Sequence, residues 1–110
     1  MIFNKTKGTR LSDTYILCTS ALSKARGMMF RRKPIALVFS FNCEKRRCLH
    51  MMFVFFPIDV LFLDREKRIV EIKRKFMPFT FYEPKEKSKY IVELGEGKTA
   101  DSEVGDIIDF

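Results

Sequence analysis

The chain has 110 residues, 46% of them hydrophobic and 32% charged, with 12 Phe and only five Gly and four Pro. That length holds one core and no second domain, and that composition excludes disorder and low complexity. The net charge of +7 divides as +7 over residues 1–33, zero over 34–64, +5 over 65–90 and −5 over 91–110, so the basic N-terminal half and the acidic tail are suited to pair, within one molecule or between two.

Residues 1–13 read as a flexible or irregular basic segment, without the apolar run and small-residue cleavage site of a signal peptide. Thr14 to Cys18 is β-branched and apolar, as a strand should be. Ser20 can cap a short helix over Ala21–Arg26 that Gly27 ends. Ile35 to Phe41 is a strand with apolar residues on both faces. The polar run Asn42–Arg47 is expected to reverse the chain, through Asn42, into a strand near Cys48–Met51. Ile58–Leu63 and Ile69–Lys73 flank Asp64–Arg68 as a hairpin, with Ile69 and Glu71 on one face and Val70 and Ile72 on the other. Phe76 to Tyr82, aromatic and holding Pro78, is an edge strand or an ordered loop. Lys89–Leu94 alternates and ends at Gly95–Glu96–Gly97, and a last short strand follows Gly105.

The fold class is therefore mainly β, at the margin of α+β: a small sandwich or barrel of six or seven strands with one short helix near residues 21–26. The longest apolar stretch, Leu49–Leu63, is too short to span a bilayer and is broken by His50, Pro57 and Asp59, so no membrane insertion is expected. Three Cys, an odd count, suit a reducing compartment and a cytoplasmic location.

Three segments in order resemble the family known as domain of unknown function 192, or uncharacterised ACR. Ala25–Arg–Gly–Met–Met–Phe–Arg31 is similar to its Arg–Gly–Leu–Met–Phe–Arg signature. Leu49–His–Met–Met–Phe–Val–Phe–Phe–Pro–Ile–Asp–Val–Leu–Phe–Leu–Asp64 is similar to its aromatic–Trp–Met–Lys–Asn–Thr–x–x–Pro–Leu–Asp block. Tyr90–Ile–Val–Glu–Leu94, with Gly97 and Gly105–Asp106, is similar to its closing Tyr–Val–Leu–Glu–Leu, Gly and Gly–Asp pattern. The resemblance spans roughly residues 14–109 and implies a small, mostly β fold with an early helix and no assigned activity. The chain departs from the pattern at His50, where the family has Trp, and at Met52, Phe53 and Val54, where it has Lys–Asn–Thr. Lys67 stands where the hairpin often has Gly, so a positive φ is not required of that turn.

Cys43, Cys48 and His50 form the one soft-ligand group, with Cys48 and His50 on one strand face. Their spacing fits no standard zinc pattern, and a Cys43–Cys48 disulfide is disfavoured in a reducing compartment, which leaves buried free thiols and a satisfied histidine. Met28, Met29, Met51, Met52 and Met77 can fill core or line an adaptable apolar pocket. Lys73, Arg74 and Lys75 lead into Phe79 and Phe81, an interleaving that lets phosphates pair while bases stack. Asp59, inside an apolar strand, must find donors and is expected to accept backbone hydrogen bonds beside a turn. Arg26 and Arg31 flank Gly27, able to clamp an anion or to pair with the acidic tail.

A single histidine, no P-loop and no HExxH helix leave no catalytic residues to name and disfavour an enzyme. The expected function is a non-enzymatic binding or accessory module for a protein or small-molecule ligand, working without a cofactor as a monomer or weak homodimer. Its candidate ligand residues are Gly27, Met29, Arg31, His50, Met51 and Asp59. The alternative is a basic nucleic-acid-associated protein, and an enzyme of unrecognised class comes third.

Overall fold

The computed structural model describes all residues, Met1–Phe110. Its chain order is β1 (Ile2–Asn4), β2 (Thr9–Ser12), β3 (Ile16–Cys18), α1 (Ala21–Arg26), β4 (Leu37–Lys45), β5 (Leu49–His50), β6 (Ile58–Leu63), β7 (Ile69–Phe76), β8 (Phe81–Tyr82), β9 (Ser88–Gly95) and β10 (Ile108–Asp109). The fold is mainly β with one short helix, as expected, and no barrel closes. A five-stranded sheet runs β3-β4-β9-β6-β7, beside a three-stranded sheet β10-β1-β2 and a two-stranded pair β5-β8. Only β3 lies parallel to its neighbour, β4.

Strand alternation divides the core between the two faces of the large sheet. One face carries Leu37, Phe39, Ile58, Val60, Phe62 and Ile91 under Met28, Met51 and Val54. The other carries Val38, Leu61, Leu63, Val92 and Leu94 under Ile2, Leu11 and Ile108 of the small sheet. All six residues of β6 are buried, which explains why its sequence is apolar without a polar face.

The N-terminal segment forms β1 and β2, a correction to its reading as flexible or irregular. Ile2 and Leu11 enter the core, and Asn4 is fully buried. The Asn4 amide donates to Ser102 Oγ at 3.1 Å and Asp106 Oδ2 at 2.9 Å, and Lys7 Nζ lies 3.5 Å from Glu103 and 3.6 Å from Asp106. The pairing of basic N-terminus with acidic tail is thus intramolecular and local to these residues.

Asn42 does not reverse the chain. β4 continues to Lys45, which pairs with Ser88, and the reversal falls at residues 46–48. Arg47 closes it, donating to the Cys43 carbonyl at 2.6 Å and stacking 3.8 Å over the Phe41 ring. In β7 the expected alternation fails at a bulge: Phe62 pairs with Glu71 but Leu63 with Ile69. Ile69 and Ile72 therefore share the small-sheet face, while Val70 packs on the other. Lys67 does adopt a positive φ, 63°, against expectation. Asp64 Oδ1 accepts the N–H groups of Glu66 and Arg68, and Lys67 Nζ donates to the Phe110 carbonyl at 3.1 Å and lies 3.9 Å from its ring centroid. These contacts over-determine a conformation that a lysine alone avoids.

Candidate functional site

Local chemistry at α1 builds one wall of a cavity. Ser20 Oγ accepts the Ser23 N–H at 3.1 Å, and Gly27, with φ 46°, ends the helix by donating to the Ser23 carbonyl. A Cβ at Gly27 would sit 3.4 Å from Phe39 and 3.8 Å from Glu93 Oε1, so glycine lets the backbone lie against the sheet face. The chain then runs into Met28 and Met29, and Arg31 Nε returns to the Gly27 carbonyl at 3.0 Å.

Between this wall, the sheet and the β5 region lies a cavity of about 330 Å³, lined by Met28, Met29, Phe39, Met51, Val54 and Ile91 among others. Its size falls at the small end of the range, roughly 300–1,000 Å³, that holds small-molecule ligands. Glu93 of β9 projects from the sheet among these apolar groups and is 9% exposed. No hydrogen bond or ion pair reaches its carboxylate; burial alone pushes its pKa up from 4.5 to about 7. Beside it, burial raises the Cys18 thiol pKa, and the Glu93 charge raises it further. Lys24, Arg26, Arg47, Cys48 and His50 also line it. The Lys24 ammonium and the Arg47 guanidinium both stack on Phe41, at 4.3 and 3.8 Å, and Arg47 Nε is a buried donor without an acceptor.

The profile of the family described as Uncharacterized ACR, DUF192, matches residues 2–110. The chain belongs to the DUF192 family. It is 36% identical over 115 residues to a UPF0127 protein of Thermococcus sibiricus, covering all of this chain and 74% of that one. With a UPF0127 protein of Pyrococcus abyssi it shares 32% identity over 114 residues, covering 100% and 97% of the two chains. Among solved structures it is similar to a protein of unknown function from Novosphingobium aromaticivorans, with a TM-score of 0.80 and 20% identity over 87% of this chain and 74% of that one. A candidate transcription regulator from Sinorhizobium meliloti gives a TM-score of 0.86 and 21% identity over 98% and 88%.

The three DUF192-like segments, distant in sequence, meet at the cavity. Gly27, Met28 and Met29 come from the first, His50, Met51 and Val54 from the second, and Ile91 and Glu93 from the third. Of the residues singled out in the sequence, Gly27, Met29, His50 and Met51 line it, and Arg31 and Asp59 do not. Met52 and Met77 also lie outside it. Asp59 instead ties β7 to the turn that follows β9. It accepts from the Lys75 N–H at 3.0 Å, the Gly97 N–H at 3.1 Å, the Thr99 N–H at 3.3 Å and the Thr99 hydroxyl at 2.6 Å.

Cys43 and Cys48 are free thiols but exposed, not buried as expected, because the far end of β4 and the turn at residues 46–48 lie beyond the buried part of the sheet, and no group of three His, Cys, Asp or Glu is gathered for a metal ion. His50 Nδ1 accepts the Met52 N–H at 3.2 Å. The basic stretch of β7 is divided rather than continuous. Arg74 donates to the Thr99 and Ser102 carbonyls, at 2.9 and 2.6 Å, while Lys73 lies over Tyr82. Phe79 and Phe81 are exposed, and Phe79 belongs to an aromatic cluster with Phe30, Phe53 and Phe55. Phe30, Phe53 and Phe79 all have φ near +60°, a strained conformation that nothing in their residue type foretells. No helix is long and apolar enough to cross a membrane.

Proposed function

We propose that this DUF192 protein is a binding module for a small molecule with a flat apolar body and a hydrogen-bond donor or cation at one end. The carrying observation is Glu93: a nine-tenths-buried carboxylate, without a partner in the protein, at the wall of an apolar cavity on which the three family segments converge. An unpaired buried acid is costly, and a ligand donor would offset that cost. The Met28, Met29 and Met51 side chains support the same reading, because thioethers adapt to a ring and make favourable sulfur–aromatic contacts.

The test uses protein labelled with ¹³C at the methionine methyl groups, titrated with benzamidine, 2-aminobenzimidazole and phenylguanidine. Each probe is a flat ring carrying paired N–H donors. The Met28, Met29 and Met51 resonances should shift, those of Met1 and Met77 should not, and Glu93→Gln should weaken the response. Unmoved cavity resonances with all three probes would remove the reading.

A further inference from the structure

The cavity carries two kinds of unanswered polarity, and their separation narrows the ligand. Glu93 lies opposite Leu37 in the β4–β9 ladder. Phe41, on which Lys24 and Arg47 stack, is four residues farther along β4, about 13 Å from Leu37 between Cα atoms at strand rise. Neither cation has a carboxylate partner, whereas the carboxylates that do form ion pairs meet Lys7, Arg10 and Arg65. A complementary molecule presents donors at one end and an anion at the other, with a flat apolar body between.

Resting on the small-molecule reading above, we infer that the cavity takes a guanine nucleotide, with the guanine Watson–Crick edge on Glu93 and the phosphate on Lys24 and Arg47. Guanine is the common base that offers two adjacent donors, N1–H and the N2 amino group, to a single carboxylate, whereas adenine turns a ring-nitrogen lone pair toward it. The ring is held between thioethers and Phe39, the base–side-chain stacking that accompanies such edge recognition. Arg47 supplies a planar guanidinium, suited to phosphate, already ordered by its stack on Phe41. The same chemistry comes from a free mononucleotide or from a guanine in a single strand. For a strand, the exposed Phe30, Phe53, Phe55 and Phe79 rings add stacking faces for neighbouring bases.

Calorimetric titration of the full chain at pH 8.5, where the Glu93 carboxylate is ionised, with GMP, guanosine, AMP and the RNA pentamer UUGUU separates these arms. GMP should bind tenfold or more tighter than AMP, and guanosine should lose about tenfold through the missing phosphate. Glu93→Gln should remove the GMP preference over AMP, and the double variant Lys24→Ala, Arg47→Ala should bring GMP down to the guanosine level. The pentamer binding tighter than GMP, with that gain lost in Phe79→Ala, would identify a strand as the source. Equal binding of GMP and AMP, or GMP affinity unchanged by both sets of substitutions, overturns the inference. If the ring probes shift the cavity methionines while neither GMP nor the pentamer binds, the guanine assignment falls and the small-molecule reading stands. If none of them binds, both fall.

Discussion

Glu93 sets up a stability cost that can be measured directly. Its carboxyl pKa, raised from 4.5 to about 7 by burial, means the folded state holds a proton that the unfolded chain has released across that interval. Folding stability is therefore fully present below pH 4.5 and falls as pH rises through 7, by about 3 kcal/mol in all. Glu93→Gln, which removes the charge and keeps the shape, should raise the melting temperature at pH 8 and leave it nearly unchanged at pH 4. Thermal denaturation at the two pH values checks this, and a variant less stable at pH 8 would contradict it. Asp59 differs from Glu93 in its bonding, because all its hydrogen-bond partners are donors. Asp59→Asn points an amide at N–H groups of Lys75, Gly97 or Thr99 and should cost about 3 kcal/mol at neutral pH, read by urea unfolding. The structural part of Asp59 was legible in sequence, since a carboxylate in an apolar strand must find donors. Glu93 was not. On an alternating strand it reads as a solvated residue, and only the wall formed by α1 and Gly27 turns its face inward.

At the scale of elements, what the sequence made legible is what local chemistry decides. Ser20 and Gly27 bound α1 where a cap and a terminating glycine should stand, and the β6–β7 hairpin follows from two apolar runs around a polar turn. What escaped is decided by distant partners. β4 outlasts Asn42 because β9 begins at Ser88 and pairs with Lys45, and β1 and β2 exist because Asn4, Ile2 and Leu11 meet the C-terminal segment. The α1 end also carries a prediction. At φ 46°, ψ −123° a side chain at Gly27 is strained, and its methyl would touch Phe39 at 3.4 Å. Gly27→Ala should cost about 2 kcal/mol of stability and narrow the cavity. The measurement is a paired one, thermal melting and benzamidine affinity, and both should fall.

Across the whole molecule, acid and alkaline limits of stability arise at opposite faces of the central sheet. Glu93 governs the alkaline side from the cavity face. Asp106, against the small sheet, governs the acid side: burial raises its pKa, but the Asn4 amide, the Glu103 N–H and Lys7 more than offset that and hold it below 3.8. A depressed carboxylate contributes stability that is complete well above 3.8 and is lost as pH falls through the folded-state value. The stability profile should therefore have a maximum on the acid side of neutrality, falling toward pH 7 because of Glu93 and below pH 4 because of Asp106. Since Asp106 also joins the first strand to the last turn, its protonation loosens β1 and β10 before the large sheet. Asp106→Asn should flatten the acid limb and leave the alkaline limb intact, whereas Glu93→Gln should do the reverse. Hydrogen exchange at pH 3.5 gives the spatial test. The amides of Lys5 and Ile108, which bond to the Ile107 and Lys67 carbonyls, should lose protection while those of β6 keep theirs. Loss of protection everywhere at once would mean that the small sheet and the large one unfold as a single unit, and that Asp106 is no local latch.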